Sequence, residues 1–486
     1  MAGITGFGGY VPRLRLQRKS VVEANGWFNP GLAGLAKGER SMCNWDEDSL
    51  TMAVEAGRDC IGEKGPADLR AIYLASTTLP FADRQNATVA ATALDLGEEL
   101  KTVDLTSSQR AGTSGMIDVL EGMGERDGQV LYLAADHRQT AASGAQELQM
   151  GDGAAAMLLG QNNVLAEYLG GHQVSVDFVD HYRGQNRDFD YNWEERWIRD
   201  EGYFKIVPRG LDALFAKVDV APSDVDIMIM PALIRGVPEK IAKGAGIPDT
   251  AVQDNLHAVM GEAGTAHALI MLSKALQGAK PGQVILVIGW GQGCDLMLFR
   301  TTDAIASFKP ALGGVESSLA RGKAETNYNR YLAFNDLIDR DKGIRAETDA
   351  QTALSTLYRK REMVLGFKGG KCSKCGTVQY PKAHICVNPN CGAWHSQEDY
   401  RFSDVPCTVQ SWTADGLTYS PDPPTHFGMV TFEGGGRLMA DLTDVDKGGV
   451  EVGMPLRMVF RIKVEDERRG FKKYFWKAAP DHRKTA

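Results

Sequence analysis

The sequence predicts an α/β protein followed by a smaller β-rich part. Three observations lead there. Strand-like and helix-like segments alternate through residues 1–165. A looser version of the same plan runs through residues 166–305. Four cysteines then crowd into 20 residues, and short strands separated by Gly, Asp and Pro turns follow them. Alternating β and α units imply a mixed or parallel sheet covered by helices on both faces.

In the first half, residues 3–10 form a Gly-rich strand and residues 47–60 an amphipathic helix. Residues 71–75 are a strand, 76–80 its loop and 87–96 an apolar helix. Residues 105–115, LTSSQRAGTSG, are the centre of the chain. A short strand ends there in small and polar residues. Met116, Ile117, Val119, Leu120 and Met123 then recur at helical spacing. This geometry sets a side chain at a helix N-terminus, where the dipole favours negative charge and enzymes often hold a nucleophile. Residues 130–135 and 151–160 are buried strands.

In the second half, residues 174–179, 226–230 and 284–288 read as strands. Residues 193–215 and 261–276 read as helices, and GWGQG leads into a closing strand at 294–299. The parallel order of segments suggests a duplicated α/β unit. Residues 306–365 read as a helical linker, in which Tyr328, Tyr331 and Leu332 mark an amphipathic helix. Residues 366–395 hold the cysteines, and residues 396–480 fit a small barrel of OB type.

A chain of 486 residues suggests two to four domains. With 43% hydrophobic and 24% charged residues it has a globular composition. A net charge of -8 gives no support to a nucleic-acid partner. No run of 18 apolar residues predicts a membrane span. The start, MAGITGFGGYVP, lacks the basic end and apolar core of a secretion signal, so a cytoplasmic location is expected.

Cys372, Cys375, Cys386 and Cys391 follow a C-x2-C-x10-C-x4-C spacing. Four soft thiolates on two turn-bearing knuckles fit tetrahedral zinc. A closed four-cysteine site is structural, since the metal keeps no open position.

These residues resemble a known family. GITGFGGYVP, DEDSLTMAVEAG, QRAGTSG, GDGAAAMLLG and GWGQGCD resemble the thiolase superfamily, most of all its 3-hydroxy-3-methylglutaryl-CoA synthase and ketoacyl synthase III branch. GGKCSKCGTVQYP, CVNPNC, FEGGGRLM and RGFKKYFWKAAP resemble the zinc-ribbon and OB-fold proteins that accompany thiolases. The resemblance implies a five-layer αβαβα fold with two related halves, and a homodimer. A higher oligomer, or a complex with another thiolase-like or CoA enzyme, stays open. It also implies an acyl-CoA thioester as substrate.

The family's catalytic residues do not carry over. Its cysteine falls on Gln109, its glutamate near Thr77 and its histidine near Pro231. Its Gly-Asn-Thr segment falls on residues 261–263, where Glu262 stands, with His267 shortly after. Gln109 cannot form a thioester, but its amide can donate to an enolate or carboxylate. Ketoacyl synthases with Gln in place of Cys resemble this and act as decarboxylases.

Glu262 and His267 are the candidates for proton transfer. Gln109 and the Gly291 backbone are the candidates for oxyanion contacts. Each has a plain counterpart: a packed amide, a helix-start carboxylate, a core histidine, a tight turn. Ser107, Ser108 and Cys294 are the fallback nucleophiles, while Asp136 and His137 follow a buried strand end. Arg110, Arg138 and Arg235 are the candidates for the CoA phosphates.

The expected function is an enzyme of acyl-CoA carbon–carbon bond chemistry, by aldol, retro-aldol or decarboxylation, through a stabilised enolate and without a cysteinyl intermediate. An acyltransferase with a displaced nucleophile and a non-catalytic docking subunit are the alternatives.

Overall fold

The computed structural model describes residues 2–63, 65–125, 128–351 and 353–484. The chain divides into two compact units. The first holds residues up to Cys43, then Asp48–Ala87 and Glu99–Leu337. The second holds Asn44–Glu47, Thr88–Glu98 and residues from Ile338 onward.

The first unit is built on a nine-stranded sheet. From one edge the strands are Lys101–Leu105, Leu69–Ala75, Gln129–Asp136, Gly153–Gly160 and Gly3–Tyr10. They continue with Ala166–Ser175, Gly293–Thr301, Val284–Trp290 and Ile227–Ile229. Two lobes are visible in this order. Gly3–Tyr10 pairs antiparallel with Gly153–Gly160, which pairs antiparallel with Gln129–Asp136, which pairs parallel with Leu69–Ala75. Ala166–Ser175 repeats that pattern with Gly293–Thr301, Val284–Trp290 and Ile227–Ile229. In the second lobe the counterpart of the edge strand Lys101–Leu105 is reduced, among the described residues, to a single parallel bridge, Met228↔Val252.

Among the described residues the central strands of the two lobes pair at Gly3↔Glu167 and Ile4↔Ala166. Gly3 has to be glycine there, because a Cβ would lie 2.3 Å from the Ala166 carbonyl oxygen. Helix Ser49–Ile61 is buried all round except at its last residue, as expected of a helix enclosed in a core. Its Asp48 cap exchanges hydrogen bonds with Thr51. Helix His267–Gly278 packs on strands of both lobes. Helices thus lie between and outside the lobes, which is the five-layer αβαβα arrangement with two related halves. No described helix is long and apolar enough to cross a membrane.

Several elements differ from the sequence expectation. The first strand of the second half runs over Ala166–Ser175, ahead of the expected 174–179. The helix expected over 261–276 begins only at His267, because Gly261 and Gly264 sit at φ of 75° and 55°. Residues 193–215 form a short helix, a π-helical turn at Ile198–Tyr203 and the helix Phe204–Phe215. Residues 306–337 belong to the first unit rather than to a linker. Lys323–Glu325 there pairs with Leu14–Gln17, and Tyr331 is fully buried against Leu14, Leu16 and Val21.

In the second unit, a three-stranded sheet orders Val378–Gln379, Lys368–Cys372 and Gln397–Arg401. A five-stranded sheet orders Arg437–Asp441, Thr425–Phe432, Cys407–Asp415, Pro455–Asp466 and Phe471–Pro480. The bridge Leu442↔Ala478 brings its two ends together as a small barrel. Strand Thr425–Phe432 alternates partly buried and buried residues, the period of a sheet with one face on a core. Trp476 fills that core, and its indole N–H donates to the Leu365 carbonyl at 2.6 Å.

Candidate active site

The turn at residues 106–110 joins the strand Lys101–Leu105 to the helix Ala111–Glu121. Arg110 holds it in place. Its Nε donates to the Gly291 carbonyl at 2.8 Å and its Nη1 to Asp295 Oδ1 at 2.9 Å. Buried Asp295 also accepts from the hydroxyls of Thr113 at 2.7 Å and Ser114 at 2.6 Å. The first turn of the helix is therefore pinned to the strand Gly293–Thr301. Gln109 is left at the wall of a cavity of about 300 Å³.

One wall of this cavity is apolar, with Ile198, Tyr203, Leu233, Ile234 and Trp290. The polar side brings together Gln109, Asp180, His181, Glu262 and Thr265. Behind it lies Arg138, 1% exposed. Its Nη1 donates to Glu262 Oε2 at 3.1 Å and its Nη2 to Asp190 Oδ2 at 2.6 Å. Asp190 also takes Arg183 Nη1 at 2.8 Å. With the Gln109 amide set so that its oxygen faces donors, Oε1 accepts from Arg138 Nη1 at 2.7 Å, Arg138 Nη2 at 2.9 Å and His181 Nε2 at 3.1 Å.

His181 is held from its other nitrogen. Nδ1 lies 2.9 Å from Asp180 Oδ1, and Asp180 Oδ2 accepts the Trp290 indole N–H at 2.7 Å. Burial pushes the Asp180 carboxyl up, but the His181 and Trp290 contacts outweigh it and leave the group below the ordinary carboxylate range. Asp190 behaves alike: burial raises it, and the charges of Arg138 and Arg183 bring it below the usual value.

Glu262 is positioned by its own backbone. Its N–H donates to the Gln149 carbonyl at 2.8 Å, and its carbonyl accepts the Gly151 N–H at 2.9 Å. Gly264 follows at φ +55°, and a Cβ there would lie 2.3 Å from Asp136 Oδ2 and 2.8 Å from Arg138 Nη1. Only glycine permits that approach. The buried Thr265 hydroxyl has no hydrogen-bond partner among the described residues.

Four sequence candidates take a different place from the one expected. His267 does not line the cavity. It is fully buried, its Nδ1 accepts the Ala263 N–H at 2.9 Å, and its Nε2 faces the Asn255 carbonyl at 2.7 Å. It braces the loop beside Glu262, and burial lowers its basicity. The Gly291 N–H is spent on the Gly293 carbonyl at 3.1 Å, so it is not free for an oxyanion. The guanidinium groups of Arg110 and Arg138 are taken up by internal carboxylates and are not presented to CoA phosphates. Arg235 is exposed, next to the cavity-lining Leu233 and Ile234.

Of the fallback nucleophiles, Ser107 is exposed and Ser108 Oγ accepts the Arg110 N–H. The Cys294 thiol is fully buried and burial pushes it up to about 12. Asp136 is a loop organiser. Its two oxygens accept from Ser76, Thr77, Thr78 and the Thr265 N–H.

Sequence reasoning does not single out Asp180, His181, Asp190 or Thr265. One signal was present. The chain holds three Asp–His doublets, at 136–137, 180–181 and 481–482, and each stands near the end of a strand-like run. The second is the one that reaches the cavity.

The cysteine cluster is compact. Cys372 Sγ and Cys391 Sγ are 3.9 Å apart, Cys375 Sγ and Cys386 Sγ 3.6 Å, and all four sulfurs lie within 4.8 Å of one another. A tetrahedron of sulfurs about 2.3 Å from zinc has edges of about 3.8 Å. The donor set fits zinc. Bound there, the ion would cross-link the two knuckles and offer no open position. The hydroxyls of Ser396 and Thr377 each lie 3.2 Å from a cluster sulfur and can donate to the thiolates.

Two family models match the C-terminal part. They are the rubredoxin-like zinc ribbon domain of ChsH2 over residues 364–394 and the C-terminal OB-fold domain of ChsH2 over residues 407–461. The hydroxymethylglutaryl-CoA synthase of Aeropyrum pernix is 31% identical over 340 residues, which are 68% of this chain and 93% of that protein. That of Methanocaldococcus jannaschii is 29% identical over 350 residues, 70% of this chain and 99% of that protein. A structure of Xanthomonas campestris OleA has a TM-score of 0.55 at 19% identity, covering 62% of this chain and 96% of that one. The 3-oxoacyl-[acyl-carrier-protein] synthase III of Aquifex aeolicus has a TM-score of 0.53 at 18% identity, covering 62% and 100%. The two structures show likeness of fold alone.

Proposed function

Because the chain belongs to the hydroxymethylglutaryl-CoA synthase family, we propose that it makes or breaks a carbon–carbon bond beside the thioester of an acyl-CoA, through an enolate, with no acyl group carried on the enzyme. Aldol addition, its reversal and decarboxylation share that enolate. One observation carries the reading. Gln109 stands where the resemblance puts the family's cysteine, and its amide oxygen is held by Arg138 and His181. A carboxamide has no thiolate with which to form a thioester.

The chemistry then follows from the groups at the wall. Glu262 removes or returns the α-proton of the acyl group. The Gln109 NH2 and the unpartnered Thr265 hydroxyl supply donors to the enolate oxygen. The apolar wall takes the acyl chain and limits water. Arg235 is the remaining candidate for the CoA phosphates. Buried Cys294, exposed Ser107 and hydrogen-bonded Ser108 give the displaced-nucleophile reading no support. We place a homodimer at the edge strand Lys101–Leu105, whose outer side pairs with no strand among the described residues. Mostly buried cysteines, with no disulfide among the described residues, suit a reducing, cytoplasmic setting.

The test is intact-protein mass spectrometry after incubation with a panel of acyl-CoAs. The expected result is a non-covalent CoA complex in native spectra, no adduct after denaturation, and release of a free carbonyl product or CO2 from a member of the panel. An acyl adduct that survives denaturation would overturn the reading in favour of an acyltransferase. Absence of any CoA complex would favour a docking subunit. Light scattering on the same sample tests the dimer, which predicts twice the monomer mass.

A further inference from the structure

The resemblance puts the family's histidine near Pro231, which lines the cavity, and a histidine from elsewhere in the chain, His181, lines it too. His181 opens the strand His181–Tyr182, which pairs with Tyr191–Asn192 in a two-stranded hairpin. Its side chain is clamped at both ring nitrogens. Nδ1 meets Asp180 Oδ1 at 2.9 Å. Nε2 meets Gln109 Oε1 at 3.1 Å.

The proton positions follow from the partners. Asp180 accepts from the His181 backbone N–H at 2.8 Å and the Trp290 indole N–H at 2.7 Å and is held as a carboxylate, so the hydrogen between it and the ring belongs to Nδ1. Gln109 cannot turn its NH2 toward His181 without also turning it toward both terminal nitrogens of Arg138, which are donors only. Its oxygen therefore faces His181, and the hydrogen between them belongs to Nε2. Around the ring, Asp180 and Asp190 are the anions; Arg138 and Arg183 are the neighbouring cations, each paired with Asp190.

We infer that His181 rests with both ring nitrogens protonated and is the proton donor and acceptor toward the second reactant of the enolate reaction. The inference rests on the enolate reading above. In the addition direction, Glu262 takes the α-proton of the acyl-CoA. The enolate carbon forms a bond to the carbonyl carbon of the acceptor. The electron pair of that carbonyl moves to its oxygen, which takes the Nε2 proton of His181. Glu262 then gives its proton to solvent and His181 regains one, so no net proton is gained or lost. In the reverse direction, neutral His181 takes the hydroxyl proton, the carbon–carbon bond breaks, and Glu262 returns a proton to the enolate carbon. Gln109 is on this view the sensor of the ring. While its oxygen is anchored by Arg138, it favours the doubly protonated histidine.

The experiment uses the full chain with ring-15N histidine, the His181 signals being those lost in His181→Asn. At pH 7 the ring should show two protonated nitrogens, and Asp180→Asn should convert it to the neutral form. His181→Asn should lower turnover on the responsive acyl-CoA by about 10²- to 10⁴-fold, with thioester affinity changed less than about threefold. A neutral His181 ring in the unmodified protein would overturn the resting state. Turnover within threefold of normal in a folded His181→Asn would overturn the catalytic role. If the unmodified protein turns over no acyl-CoA, the enolate reading falls and takes that role with it, and the ring spectrum still decides the resting state by itself.

Discussion

Two of the buried arginines in this molecule, one in each unit, behave differently. Arg138 in the first unit is 1% exposed and Arg461 in the second 0%. Arg461 pairs with Glu47 at 3.0 Å and Asp444 at 2.9 Å, and Asp46 beside it takes Lys477 at 2.8 Å and the Thr443 hydroxyl at 3.0 Å. These partners face one another, and none of them lines the cavity of the first unit. Arg138 also has two carboxylate partners, but one of them, Glu262, lines a cavity, and the arginine fixes an amide, Gln109, that lines it too. Burial of a charge by itself does not mark a functional site. What marks one is a buried charge that spends part of its hydrogen-bonding on groups turned toward open space.

The largest effect should come from the most closed polar cluster. Elemental analysis should find one zinc per chain. The double variant Cys375→Ser with Cys386→Ser should hold almost none and lose the ribbon fold, since structural zinc sites contribute folding energy of roughly 10 kcal/mol or more. The two arginines come next. Arg461→Met and Arg138→Met should each cost about 3–5 kcal/mol in denaturant unfolding, because each strands buried carboxylates. The comparison breaks if Arg461→Met, measured where it is folded, also abolishes turnover, or if Arg138→Met does not.

Glu262→Gln should separate function from stability in the other direction. It keeps the shape and an acceptor for Arg138, so the melting temperature should move little. Turnover should fall by about 10²-fold or more as the base is lost. The smallest effect is on acid stability. The folded-state carboxyl of Asp190 lies below its ordinary value, so its contribution is present in full above pH about 4. It is lost as pH falls through the depressed folded value. Asp190→Asn should therefore flatten the melting curve against pH below about 4 and leave its slope near neutrality alone. An unchanged acid limb would show that Arg138 and Arg183 do not hold Asp190 as described.

The parts of this molecule that were legible in the sequence are local ones. The cysteine spacing states its own geometry within 20 residues. Gln109 stood out because a strand, a small-residue turn and a helix are written in consecutive residues. The two related α/β halves also followed from the order of segments, although the strand pairing within them did not. The site's electrostatics did not, because it depends on side chains far apart in the chain. Arg138, Asp190 and Glu262 meet from three separate loops. His267 illustrates the limit. Helical spacing places it on a helix near the site, but cannot say that its ring turns to the Ala263 N–H and the Asn255 carbonyl. The Gly291 N–H is a second case, since a Gly-rich turn suggests free backbone donors and only the register shows this one taken by Gly293.

The composition of the second unit has a consequence for how the protein is made. Its buried Asp46 and its Asp95, which pairs with Lys368 at 2.7 Å, come from segments that leave the ribosome early. Their partners lie beyond Ile338, about 240 residues after the second of those segments ends. At roughly 5–20 residues per second, synthesis of that interval takes on the order of tens of seconds. Through this time the chain around Asp46 and Asp95 waits without its eventual partners. The second unit is thus the last part of the protein able to mature, and translation that stops short of Arg461 leaves Asp46 and Glu47 without the cations that pair with them.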